Sequence, residues 1–237
     1  MRGITHNSGR GVLTSASAFL FLLIAFPALA GEVVIDDAGT TRHVASIREL
    51  RFARVIRQQF DFSCGSAAVA NLLTYSYDRP INERDVFSLM WAKGDQAAIQ
   101  KVGFSLLDMQ TYFAAIGLNS DGYKVDFDQI ATIGVPAITL ITTKGYNHFV
   151  VVRGVRDGEI LVADPALGLR KLAKEDFQKI WSGILFVVTD AAPVGRAHFN
   201  LQEDWALVPS SPIARGMDQQ RLGLTASYLT LPLRNEF

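Results

Sequence analysis

Apolar positions recur along this chain in two different periods, and the change between them organises it. From Cys64 to Ile116 they return at helical spacing. That spacing predicts a helix over Cys64–Tyr75, stopped at Asp78-Arg79-Pro80. A second helix is predicted from an Asn82 cap to about Trp91, with Glu83 and Asp85 in its first turn, where acids suit the helix dipole. A third opens at Ser105-Leu106-Leu107-Asp108, runs to Ile116 and closes at Gly117. From Leu118 the pattern becomes that of strands. Leu118–Val125, Val135–Thr142, His148–Val155, Glu159–Ala163 and Gly183–Thr189 read as strands, with a weak helical turn over Phe127–Ile133 and a short helix over Lys174–Trp181. Arg156-Asp157-Gly158 is an Asp-Gly hairpin turn joining two of these strands. Before the first helix, Val33-Val34-Ile35 is a strand candidate, Asp37-Ala38-Gly39 a turn and Leu50–Ile56 an extended approach. Helices first and an antiparallel sheet second is an α+β layout, and no internal repeat interrupts it.

Both ends depart from this pattern. Residues 1–30 combine Arg2 and Arg10, an apolar run from Ala18 to Ala25 and a small-x-small ending at Pro27-Ala28-Leu29-Ala30. They read as a secretory signal peptide cut after Ala30, with an uncleaved anchor as the alternative. Export to the periplasm is the expectation, with residues 31–190 as one domain. Residues 191–237 hold Pro193, Pro209 and Pro212 and little periodicity before Leu222–Leu233. They read as a C-terminal extension, either an arm on the domain or an interaction segment.

Charge is balanced, 23 basic against 23 acidic residues, so no basic stripe invites nucleic acid. One cysteine makes no intrachain disulfide, and a lone thiol in an oxidising compartment is a liability unless it is used. Cys64 stands at a helix start that Ser63 or Asp61 can cap, and the positive end of that helix favours negative charge on a sulfur. The plain alternative is a small buried hydrophobe. Of four histidines, His6 falls in the signal segment, His43 in the polar N-terminal stretch and His198 in the extension. His148 remains, at the mouth of an apolar strand. Asp164 ends the partner strand, at the same end of the hairpin and about three residues from register with His148. A carboxylate there can fix the imidazole tautomer while the other ring nitrogen faces a thiol, although Asp-Pro is also a common turn start. Gln58, or its neighbour Gln59, can offer an amide to a developing oxyanion beside the Cys64 N–H. No zinc-ligand spacing, phosphate loop, dinucleotide fingerprint or Gly-x-Ser-x-Gly elbow occurs, so no cofactor is expected.

Three stretches in order, residues 58–73, Asn147 to Val155 and Leu161 to Gly168, resemble the bacteriocin-processing, double-glycine cysteine peptidases over roughly residues 50–190. The resemblance implies a papain-like α+β fold, helices packed on an antiparallel sheet. It implies Cys64 as nucleophile, His148 as base and acid, Asp164 as orienting group and Gln58 as oxyanion donor. Small residues just before the cut bond are also implied. The chain departs from the transporter-fused members, which usually carry aspartate where Ser63 stands and have no signal peptide. It is more similar to stand-alone exported members, some of which accompany functional-amyloid secretion. The implied partner is an exported polypeptide, an amyloid subunit or an outer-membrane secretion component. The alternatives are a peptidase-like module that escorts such a polypeptide uncut, and a different acyl transfer on the same residues.

Overall fold

The structure is a computed structural model and describes residues 32–34, 41–43, 45–60 and 62–208. The signal segment, the turn at Asp37-Ala38-Gly39, Asp61 and the Leu222–Leu233 segment lie outside the described residues. Strands β1 (Glu32–Val34) and β2 (Thr41–His43) pair antiparallel as a small unit of their own.

The second unit begins at Ala45. Where an extended approach was expected, α1 (Ile47–Phe52) is helical, because Ser46 and Glu49 form a reciprocal capping box. Helix α2 (Cys64–Ser76) is enclosed for most of its length: Ala67, Ala68, Val69, Ala70 and Leu72 are fully buried. Its run of small residues permits close approach on several sides, and it packs against α3 (Glu83–Lys93), α5 (Leu106–Ala115) and the sheet. Between α3 and α5 lies a helix absent from the sequence expectation, α4 (Gln96–Val102), whose N-terminal N–H groups are held by Asp95.

The sheet contains β3 (Ser120–Lys124), β4 (Ala137–Thr143), β5 (Tyr146–Arg156), β6 (Glu159–Asp164), β7 (Gly168–Ala173) and β8 (Ile184–Val188). Its order is β3-β8-β4-β5-β6-β7, antiparallel throughout. β7 went unread because Arg170 and Lys171 blur its apolar pattern, which an edge strand tolerates. β5 alternates its side chains between two cores. Phe149 and Val151 join the cluster around α2, whereas Val150 and Val152 join a second one with Phe127 of α6 (Phe127–Ile133) and Phe177 of α7 (Lys174–Ile180). Beyond the sheet, α8 (Ala192–Ala197) and α9 (Gln202–Ala206) are regular where the sequence showed little periodicity, and Asp204 and Trp205 are buried.

Two turns aim the sheet. Asp157 and Gly158 both have positive φ, as the Asp-Gly hairpin predicts. Lys144 and Gly145 also have positive φ, and the turn they make starts β5 two residues before His148. The return from β6 to β7 uses Gly168 at φ +82°, where an added Cβ would sit 2.8 Å from the Arg51 carbonyl oxygen. Gly168→Ala is expected to lower stability by roughly 2–3 kcal/mol in urea titration, through backbone strain and the clash with α1.

Candidate active site

Cys64 is the first residue of α2, so its N–H has no intrahelical acceptor. Ser63 occupies the cap position but makes no side-chain cap bond, which corrects the expectation of a serine cap. Its hydroxyl instead bonds Glu83, the first residue of α3. The sulfur is buried, with 7% of the residue exposed.

His148 lies in β5 opposite Ile141 of β4, and its ring is influenced by two groups. Nε2 donates to Asp164 Oδ1 at 2.8 Å, and Cys64 is the other group that acts on the ring to raise its pKa. The Asp164 bond fixes the tautomer and leaves Nδ1 for the sulfur. Burial disfavours the imidazolium, but Asp164 and Cys64 together outweigh it and raise the His148 pKa to about 9.

Asp164 ends β6 and is almost fully buried. Besides the His148 bond, Oδ1 accepts from the N–H groups of Ala166 (2.9 Å) and Leu167 (3.1 Å), while Oδ2 faces Arg170 at 3.2 Å. One carboxylate oxygen thus closes the Asp-Pro turn and accepts from the imidazole. Burial works against its charge, yet the bond and charge of His148, the Ala166 N–H and Arg170 together hold its pKa below the ordinary carboxylate value. Nothing local marks Arg170 for this role, because it sits on β7, an edge strand whose apolar pattern is blurred by charge.

The contact between His148 and Asp164 depends on a register correction. An unbroken hairpin about Asp157-Gly158 puts Asp164 opposite Val151, three residues from His148. An odd offset would leave the two side chains on opposite faces. Instead, Val152 pairs with Val162 and Gly154 with Leu161, leaving Arg153 as an extra residue. Asp164 then falls opposite Val150, and His148 becomes its same-face neighbour two positions away.

Gln58 is tied to the same turn, its N–H donating to the Pro165 carbonyl at 3.0 Å. Its side-chain Nε2 donates one hydrogen to the Phe60 carbonyl at 3.2 Å, and the group is half-buried. Gln59 is exposed, and its backbone N–H is held by Glu83 at 2.8 Å. An open depression of about 520 Å³ runs along Arg57, Gln58, Gln59, Phe60 and Ala166. Exposed apolar side chains flank the site: Phe60, Leu167 and Tyr146, the last with its ring 6.3 Å from that of His148.

Glu83, which its place in the first turn of α3 suits to the helix dipole, is fully buried and grips the loop between Gln58 and Cys64. Desolvation raises its pKa against the bonds from Ser63, Gln59 and Ser66. Its ionisation therefore opposes folding as pH climbs through the carboxylate range. Among the described residues no cluster could hold a metal ion, and no helix is long and apolar enough to cross a membrane.

The Peptidase C39 family model matches residues 53–192. The chain belongs to that family, and so to the cysteine peptidases. It is similar to two proteins named "Probable functional amyloid protease FapD". One, from Pseudomonas fluorescens, is 38% identical over 177 residues, covering 73% of this chain and 78% of that protein. The other, from Pseudomonas aeruginosa, is 39% identical over 165 residues, covering 70% and 71%. The lactococcin-G-processing and transport ATP-binding protein LagD of Lactococcus lactis is 30% identical over 135 residues, covering 56% of this chain and 18% of that protein. Among solved structures, the peptidase domain of Streptococcus ComA aligns with TM-score 0.49 at 20% identity, covering 57% of this chain and 96% of that domain.

Two outcomes follow from this geometry. The folded pKa of His148, about 9, lies above the unfolded value of about 6.5. Its stabilising contribution is thus complete below about pH 6.5 and fades as pH rises through 9. Stability measured from pH 6 to 10 should show that fade in the wild type and lose it in His148→Ala. Glu83→Ala orphans the Gln59 N–H and leaves the Ser63 hydroxyl only its bonds with the Phe60 backbone, and should cost about 1–3 kcal/mol in urea titration, with Glu83→Asp intermediate.

Proposed function

We propose that this peptidase acts in the periplasm and cuts a peptide bond in an exported polypeptide, using Cys64 as nucleophile, His148 as proton carrier and Asp164 as orienting group. The observation that carries the reading is one buried imidazole bonded to a buried carboxylate, its pKa raised by that carboxylate and by the chain's single thiol. His148 takes the Cys64 proton, and the thiolate attacks the carbonyl carbon. The oxyanion accepts from the free Cys64 N–H and from the second hydrogen of Gln58 Nε2. The Gln58 amide is preferred over that of Gln59, because Gln58 is half-buried and tied to the Asp164 turn. His148, charged well above neutral pH, protonates the departing amine. Water then adds to the thioester, giving its proton to His148 as the thiolate leaves, and the acid product is released.

The exported setting is supported by the signal-like residues 1–30, and an amyloid-related substrate by the similarity to the two FapD proteins. The substrate class is accordingly an exported amyloid subunit or an outer-membrane secretion component. Small residues before the scissile bond suit the family.

A proteome-derived peptide library incubated with the purified protein tests this reading, with new termini identified by mass spectrometry. Wild type should generate a consistent set of cleavages that Cys64→Ala loses entirely, and Asp164→Asn should slow them roughly 10²-fold. The rate should also decline above about pH 9 as His148 loses its proton. Identical termini from Cys64→Ala would refute the mechanism; intact peptides retained by both forms would point to escort.

A further inference from the structure

The bulge that brings His148 and Asp164 onto one face needs an explanation, since an unbulged hairpin would satisfy the ladder better. Its extra residue, Arg153, is a charged side chain with 1% exposure in the middle of the sheet. Left alone, a buried guanidinium is strongly unfavourable and would drive the strand back into unbroken register. The C-terminal segment supplies its counter-charge, although Nε and Nη2 keep no hydrogen-bond partner among the described residues. Asp204 of α9 reaches Arg153 Nη1 at 3.4 Å and also accepts from Arg54 Nε at 2.6 Å. The Arg153 backbone carbonyl accepts from the Asn200 N–H at 2.8 Å, and Asn200 Nδ2 donates to the Val155 carbonyl at 3.0 Å. These two bonds hold the backbone on either side of Gly154. The Tyr75 ring completes the site, with the guanidinium carbon 4.7 Å from its centroid.

Gly154 fits the same account. A Cβ there would lie 2.2 Å from Asn200 Oδ1 and 3.1 Å from Trp205 Nε1, so the segment rests directly on the bulged backbone. The core clusters record the consequence. Val150 and Val152 share one core with Val155, an odd separation that only an inserted residue permits.

We propose that residues 200–205 are a positioning device for the reacting pair: Asn200 and Asp204 lock the Arg153 bulge, and the bulge puts His148 on the same face as Asp164. These residues lie beyond the family match at 53–192, so the device belongs to this chain's extension rather than to the matched domain. Asn200 and Asp204 are positioning residues, about half a strand away from the chemistry. The inference rests on the reading of His148 and Asp164 as a working pair, but its geometric part stands without that reading.

The test uses full-length protein with Asp204→Asn and, as a milder change expected to fold in any case, Asn200→Ala. The first readout is independent of cleavage: the low-field imidazole N–H signal of His148 in proton NMR, assigned with His148→Ala. The second is kcat against KM on the best-cleaved library peptide. Both variants should weaken or abolish the low-field signal, and kcat should drop at least about tenfold while KM stays within about threefold. A folded variant that keeps the signal and the wild-type kcat would overturn the proposal, whatever its loss in thermal stability. If Asp204→Asn does not fold, the Asn200→Ala result decides alone. Loss of the signal in a protein whose wild type cleaves nothing would uphold the bulge lock and sink the peptidase reading instead.

Discussion

A single buried imidazole, shared between a sulfur and a carboxylate, is the constraint around which this molecule is arranged. Neither partner is near it in sequence, and each is brought to it by a different layer. The sulfur arrives at the first residue of the most enclosed helix in the described structure, the carboxylate at the end of β6, next to the β7 edge of the sheet. On the proposed mechanism both must be fixed to within a fraction of a hydrogen-bond length for proton transfer to be efficient. The surrounding structure can be understood as the means of fixing them.

Each polar group buried for this purpose brings a desolvation penalty; the carboxylates are met by full sets of donors, whereas Arg153 is met only in part, its Nε and Nη2 being buried without a hydrogen-bond partner among the described residues. Asp164 takes two backbone N–H groups and Arg170 in addition to His148. Glu83 takes the Gln59 N–H and the Ser63 hydroxyl, which ties the loop carrying Gln58 to the start of α2. Arg153 takes Asp204 and the face of Tyr75. Burial pushes the Arg153 guanidinium down to about 10, with Asp204 working in the opposite direction, so the pair is a compensated cost and not a source of surplus stability. What such pairs contribute is uniqueness: one register for β5 and one path for the loop.

Much of this was legible in the sequence, and the illegible part has a common cause. Cys64 at a helix start, the α+β order and the Asp-Gly hairpin were all written locally, in apolar period and turn chemistry. The pairing of His148 with Asp164 was legible only approximately, because register across a bulge is set by residues some fifty positions away in α9 rather than by the hairpin itself. Glu83 and Ser63 carry residue types that fit ordinary caps, so nothing local revealed that they bond each other. α1 and α4 are short helices whose signals were capping residues, Ser46 with Glu49 and Asp95, and not periodicity. Arg170 belongs to an edge strand whose charged residues hid it. Where a residue's role was decided by its neighbours in the chain it could be read, and where it was decided across the fold it could not.

The account stands or falls on the coupling between thiol and imidazole, and an NMR titration of the His148 ring reads it directly. In wild type the ring should titrate near pH 9, and in Cys64→Ala the midpoint should drop measurably, with the Asp164 contribution remaining. A wild-type midpoint near the ordinary 6.5, or one that does not move when the sulfur is removed, would contradict it.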